Sequence, residues 1–134
     1  MNKYSESSLE QLRTVDTRLI KIFTEVLKYH DHSILEGYRG ELAQSKAFHD
    51  GKSKLEWPDS FHNKVPSLAV DVAPYPIDFG DQTTNLCRFY LFAGFVLATA
   101  QAMGIHLRYG GDWKGEFNVA KNKFNDLVHF EIIP

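Results

Sequence analysis

Two stretches of the chain carry the side chains best suited to chemistry. His62 and Asp71 flank a polar, proline-containing loop, Asn63-Lys64-Val65-Pro66-Ser67, and Asp71 itself lies in an apolar run from Leu68 to Ala73. Near the C-terminus, Asp126-Leu127-Val128-His129 supplies one more carboxylate and one more imidazole. Two histidines and one aspartate can hold a zinc ion through three protein ligands and leave a fourth position for water. The remaining carboxylate is then free to take a proton from that water. The residue types therefore raise a zinc hydrolase with ligands His62, Asp71 and His129 and with Asp126 as general base. An aspartate between Val70 and Val72 is costly to bury unpaired. Metal ligation would resolve that cost, and so would a hydrogen bond to a neighbouring turn. Spacing by itself is weak support, because 6 His and 17 acidic residues allow many such pairings.

The elements that must position these groups follow from periodicity and punctuation. Leu9, Leu12, Val15, Leu19, Ile22, Phe23 and Val26 recur at helical spacing, so Ser7 to about Lys28 is predicted as one helix, with Ser7 and Glu10 at capping-box spacing. His32 to Tyr38 reads as a short strand, broken at Arg39-Gly40. Arg39 thus sits where a strand meets a helix, a usual place for a functional side chain, although a surface arginine with no task reads the same way. A helix follows from Glu41 to about His49 and stops at Asp50-Gly51. Gly51 to Pro66 is a polar loop, long for a compact domain. Leu68 to Ala73 reads as a strand ended by Pro74-Tyr75-Pro76. Asp81 to Met103 is expected as the main core helix, capped near Asp81 or Thr83 and stopped at Gly104. Ile105 to Tyr109 and Leu127 to Ile133 complete the strands. Asp126 and His129 differ by an odd offset, which on one strand would point them to opposite faces. Asp126 therefore belongs in the loop before the last strand, beside the metal water rather than on the metal. The element order predicts an α+β fold: a small antiparallel or mixed sheet packed with about three helices, the site on the sheet.

Composition sets the outer bounds. A chain of 134 residues that is 43% hydrophobic can fold as a single domain, 1–134, around a real core. With a formal charge of -2 and no run of Lys or Arg, nucleic acid is a poor partner. Cys87 is the only cysteine, which excludes a cysteine-based zinc finger and an internal disulfide. It reads as small buried filler in an apolar helix, with a reactive thiol as the alternative. Leu86 to Ile105 is apolar but carries Arg88 and Gln101, so a core helix is expected rather than a membrane span. The polar start, Met1-Asn2-Lys3-Tyr4-Ser5-Glu6, reads as no secretory signal. His30, His32, His49 and His106 are read as surface or structural residues, and Trp113 as core.

Taken in order, these and other motifs resemble the zinc peptidases of the D-alanyl-D-alanine carboxypeptidase family. Within it, the chain is most similar to the phage L-alanyl-D-glutamate endopeptidases that serve as endolysins. Gly37-Tyr38-Arg39 with Gln44 resembles the family's Gly-x-Arg segment and following Gln. Gly51-Lys52-Ser53-Lys54 resembles its Gly-x-Ser-Lys loop. Ser60-Phe61-His62 and Ala69-Val70-Asp71 resemble the Ser-x-His and Ala-x-Asp that carry two zinc ligands, and Asp126 to His129 the acid-x-x-His that carries the base and the third. The loop from His62 to Asp71 is longer than the commonest family form. Asp126 matches the endopeptidases, whereas the carboxypeptidases carry Glu. The resemblance implies a hedgehog/D,D-peptidase-like fold, a Zn²⁺ cofactor, and hydrolysis of the peptidoglycan stem peptide at the L-alanyl-D-glutamate bond by a monomer. Arg39 would serve catalysis by stabilising an oxyanion or substrate carboxylate, with Gln44 and Ser60 as further substrate contacts. An endolysin would be made in the cytoplasm without a signal peptide and act on the wall after release. A D,D-carboxypeptidase and a non-enzymatic zinc-stabilised binding module are the alternatives.

Overall fold

The computed structural model describes residues 1–80 and 82–134. Four helices and four strands are found among them: α1 Glu6–Leu12, α2 Thr17–Leu27, β1 His32–Glu36, α3 Glu41–His49, β2 Ala69–Pro74, α4 Thr83–Ala102, β3 Leu107–Tyr109 and β4 His129–Ile132. The strands form one sheet in the order β1-β2-β4-β3, with every neighbouring pair antiparallel. This is the α+β architecture expected, with one helix more than expected.

The extra helix comes from a break in the first predicted one. Ser5, not Ser7, caps α1 by accepting from the Ser8 amide. Asp16 then caps α2, its Oδ1 accepting from Arg18 N at 2.9 Å. Between them the chain leaves the helical path to bond elsewhere: Asp16 N donates to Ser67 O, and Ser67 N to Thr14 O. Val15 is buried at this break, so apolar periodicity runs through it unchanged. Periodicity reports burial, and the hydrogen bonds that end a helix leave no trace in it.

The two faces of the sheet do different work. Val70 and Val72 of β2 and Phe130 and Ile132 of β4 share one core cluster with Leu19, Ile22, Phe23 and Val26 of α2 and Phe92 and Val96 of α4. Each fully buried side chain of this kind stabilises the fold by roughly 1.5–3 kcal/mol. Side chains alternate across a strand, so Asp71, His129 and Glu131 must lie on the opposite face. Glu36 joins them through a register shift between Ile34 and Glu36. One extra residue there moves Glu36 off the core face and sets it across from Asp71.

α4 differs from expectation. It stops at Gly104 as anticipated, with φ +71, but only one face is buried, through Phe89, Phe92, Ala93, Val96 and Ala100. Cys87 is exposed rather than core filler, and Leu91 is 80% exposed. The expected cap at Asp81 lies outside the described residues; Gln82 occupies the cap position without a side-chain bond. No helix among the described residues is long and apolar enough to cross a membrane. His32 is buried against Tyr4 Oη at 2.6 Å, while His30, His49 and His106 are exposed.

Gly37 links this packing to the site. A Cβ there would collide with Thr14 Oγ1 and lie 2.7 Å from both Gln11 O and Val15 Cγ1. Gly37→Ala is expected to cost about 1–3 kcal/mol, the range for overpacking a rigid position. A shift in the denaturant midpoint at unchanged slope would measure it. A variant as stable as the parent would show that the α1–β1 contact yields freely.

Candidate active site

His62 sits on a short 3-10 turn, Phe61–Asn63, built to hold it. Ser60 Oγ accepts from His62 N at 3.2 Å, and Asn63 Oδ1 accepts from Ser60 N at 3.0 Å, a reciprocal cap. Asn63 Nδ2 also donates to Arg39 O and Gln44 Oε1, and Arg39 N donates to His62 O. The turn is thereby bolted to the β1–α3 corner. Asp71 and His129 need no such device, because strand register places them directly opposite each other on β2 and β4.

The three side chains converge. His62 Nε2 lies 3.1 Å from Asp71 Oδ1 and 3.2 Å from His129 Nδ1, and His129 Nδ1 lies 3.3 Å from Asp71 Oδ1. The outer ring nitrogens are occupied. His62 Nδ1 meets Gly37 O at 2.7 Å, and His129 Nε2 meets Glu131 Oε1 at 2.7 Å. A carbonyl and a carboxylate only accept, so both outer nitrogens carry the proton. With both rings neutral the inner nitrogens present lone pairs, and three acceptors face one point with no hydrogen between them. Such a site requires a proton or a cation, and imidazole with carboxylate is a donor set that suits zinc. His62, Asp71 and His129 could hold a metal ion.

The electrostatics agree. Burial raises the Asp71 carboxyl, but His62 and His129 beside it more than offset that and hold it well below the usual range. Burial lowers His129, but its bonds to Asp71 and Glu131 prevail and push it up to about 9. The pocket thus attracts positive charge. Glu131 is likewise buried, yet His129 and Arg108 keep it ionised below its ordinary value. Arg108, its cross-strand partner, donates through Nε to Glu131 Oε2 at 2.9 Å.

Asp126 precedes β4, as its odd offset from His129 requires. Its Oδ2 lies 3.9 Å from His129 Nδ1. Asp126 N donates to Gly110 O, and a Cβ at Gly110 would collide with Asp126 O, so a glycine lets the two loops meet. Burial, then the charge of Asp71, pushes the Asp126 carboxyl up to about 6. That is the range of a working general base near neutral pH.

Arg39 is 11% exposed at its side chain and borders the same centre. Its Nε donates to Glu36 Oε1 at 2.8 Å and Nη1 to Gln44 Oε1 at 3.0 Å, while Nη2 stands 3.6 Å from Asp71 Oδ2. Gln44 is fully buried, and its amide nitrogen is taken by Ser53 Oγ and Leu55 O. Gln44 therefore shows no face to a ligand and acts on Arg39 and the 51–55 loop. Ser60 borders the cleft while capping the His62 turn. Trp113, expected in the core, walls the cleft instead, its ring 5.2 Å from His129 and its Nε1 donating to Phe124 O at 2.6 Å. Glu131, Arg108 and Glu36 went unnoticed in the sequence. The signal that could have found Glu131 was its two-residue spacing from His129 on a strand.

A cleft of about 400 Å³ opens over His62, His129 and Asp126. A second, of about 670 Å³, reaches Asp126 and Asp71 from the α3 side. A half-buried acid thus stands beside a metal-competent triad where two clefts meet. The family of phage L-alanyl-D-glutamate peptidases matches residues 1–133, and the protein belongs to that family. Among solved structures it is similar to the L-Ala D-Glu endopeptidase ChiX of Serratia marcescens, with TM-score 0.73 and 26% identity over 99% of this chain and 90% of that one. No curated protein sequence matches it. Family and structural neighbour together make it a peptidoglycan endopeptidase of L-alanyl-D-glutamate bonds.

Glu131→Gln removes the charge from the acceptor that fixes His129 while keeping its size. Metal affinity is expected to fall about 10–100-fold, the usual effect of losing such a partner. Competition with a chromogenic chelator would measure this. Unchanged affinity would show that His129 keeps its orientation without Glu131.

Proposed function

We propose that the protein is a zinc-dependent endolysin of one working domain, 1–134, with His62, Asp71 and His129 as ligands and Asp126 as general base. The observation that carries this reading is the convergence of three acceptor atoms within 3.3 Å of one another, with Asp126 adjoining. Zinc, when bound, supplies a Lewis acid that acidifies water and polarises a carbonyl. The chain's own residues do the rest. Asp126, ionised, accepts the proton of the attacking water and returns it to the leaving amine. Arg39 borders both clefts with Asp126, where its remaining N–H groups can meet the developing oxyanion. Gln44 serves as a positioning residue, clamping Arg39 rather than touching the peptide. Ser60 holds the His62 turn at the cleft edge. All of these groups come from one chain, which supports a monomer. The substrate is the peptidoglycan stem, and the enzyme would meet it after release from the cytoplasm in which it is made.

Incubating the zinc-loaded protein with purified peptidoglycan is expected to yield new N-terminal D-glutamate by mass spectrometry. Chelation should abolish that product and added zinc restore it. Free D-alanine instead would move the activity to the carboxypeptidases, and persistence of the product after exhaustive chelation would sink the zinc assignment.

Asp126→Ala is expected to keep zinc and lose about 10²–10⁴-fold in kcat/KM. In the parent, activity should fall as pH drops, because a protonated Asp126 cannot accept. A neighbouring cation lowers that titration, so the midpoint should lie at or below about 6. Near-normal turnover in the variant would remove Asp126 from the base role.

A further inference from the structure

The cations that border the cleft over His62 and His129 are Arg39, Lys52, Lys54 and Arg108. Both arginines are committed to carboxylates, Arg39 to Glu36 and Arg108 to Glu131. Lys52 borders both clefts and leans its charge on Asp50, which already pairs with Lys46. Like Lys52, Lys54 has no carboxylate within 4.0 Å among the described residues. Its Nζ instead lies over the Phe124 ring, 5.1 Å from the centroid. Phe124 is two residues from Asp126 and borders both clefts with it.

Lys54 is also held where it stands. The residues on either side are tied to the fully buried Gln44, whose Nε2 donates to Ser53 Oγ at 3.0 Å and Leu55 O at 2.7 Å. Lys52 N and Ser53 N both donate to Ala47 O at the end of α3. The anchored backbone fixes where Lys54 leaves the loop, and the aromatic face beneath it holds the ammonium at the cleft wall.

The substrate supplies the matching charge. In an L-alanyl-D-glutamyl peptide the D-glutamyl residue provides the scissile nitrogen. One of its two carboxyls continues the chain, and the other stays free as a carboxylate close to the scissile bond. We propose that Lys54 is the specificity residue that receives this free carboxylate, so that the cleft between Lys54 and Arg108 holds the leaving half of the substrate. The inference rests on the peptidase reading above and adds the residue that selects an acidic leaving group.

The test uses two synthetic stem peptides, one with the free carboxylate and one with that group as a carboxamide. The zinc-loaded parent should prefer the acid by about tenfold or more in kcat/KM, the scale of one charge-assisted contact. Lys54→Gln should raise KM for the acid about tenfold, leave kcat within about twofold, leave the amide unaffected and so erase the preference, with Lys54→Arg restoring most of it. Equal loss of kcat on both peptides would mark Lys54 as structural and overturn the proposal. So would a preference that survives Lys54→Gln, or one that Lys52→Gln abolishes instead. Calorimetric binding of both peptides in the Asp126→Ala background reads the same contact without turnover. A Lys54-dependent preference there, with no cleavage by the parent, would leave the proposal standing and sink the peptidase mechanism.

Discussion

The register of β2 against β4 is the constraint on which the site depends. Asp71 and His129 are cross-strand partners, and their neighbours Val70 and Phe130, paired one step along, are fully buried in the core on the other face. A slip of either strand by one residue would send its donor into the core and its apolar side chains into the cleft. The hydrophobic energy that fixes the sheet therefore also fixes the distance between two donor atoms. Only His62 is brought from outside the sheet, and it arrives on a turn whose cap, carbonyls and amides are almost all engaged. The rigidity of the site is that of the core, passed through one pair of strands.

Around this centre each donor has a dedicated backer. Gly37 O orients His62, Glu131 orients His129, and Arg39 stands behind Asp71. Glycines make two of these approaches possible. Gly37 lets β1 run against α1 closely enough for its carbonyl to reach His62, and Gly110 lets the β3 end touch Asp126. The same economy governs Arg39, whose guanidinium is shared among Glu36, Gln44 and Asp71. Because Gln44 also holds Ser53 and Leu55, the 51–55 loop and the catalytic centre form one hydrogen-bonded unit.

Residue type made the donors candidates in the sequence, and the ordered motifs singled them out among many possible pairings. His62, Asp71, Asp126 and His129 could be named without knowing any contact, and α3 was bounded correctly by its Gly51 stop. The break at Arg13 to Asp16 was not legible, because Val15 is buried there for tertiary reasons that imitate a helix. Cys87 read as core because α4 is apolar on average, while burial depends on which face of it meets the sheet. Glu131 and Arg108 escaped because their meaning comes from pairing across β3 and β4, which residue type and motif order do not show. Gln44 and Ser60 were found by resemblance in sequence position, which carries no information about the bonds that turn Gln44 inward.

Charge explains why these backers are of both signs. Glu36, Asp71, Asp126 and Glu131 bring four carboxylates to one sheet face, and Arg39 and Arg108 bring two guanidinium groups. With both histidines neutral, two negative charges remain uncompensated. Burial lowers His129, but its bonds to Asp71 and Glu131 push it up to about 9, and burial, then the charge of Asp71, pushes Asp126 up to about 6. A divalent ion among the three inner acceptors would supply the missing charge at once. It would release the proton from His129, whose lone pair the ion needs, and from Asp126, whose ionised form the chemistry needs. On the proposed reading, binding and activation of the base would be a single electrostatic event. Each further carboxylate or guanidinium added to this face would disturb both.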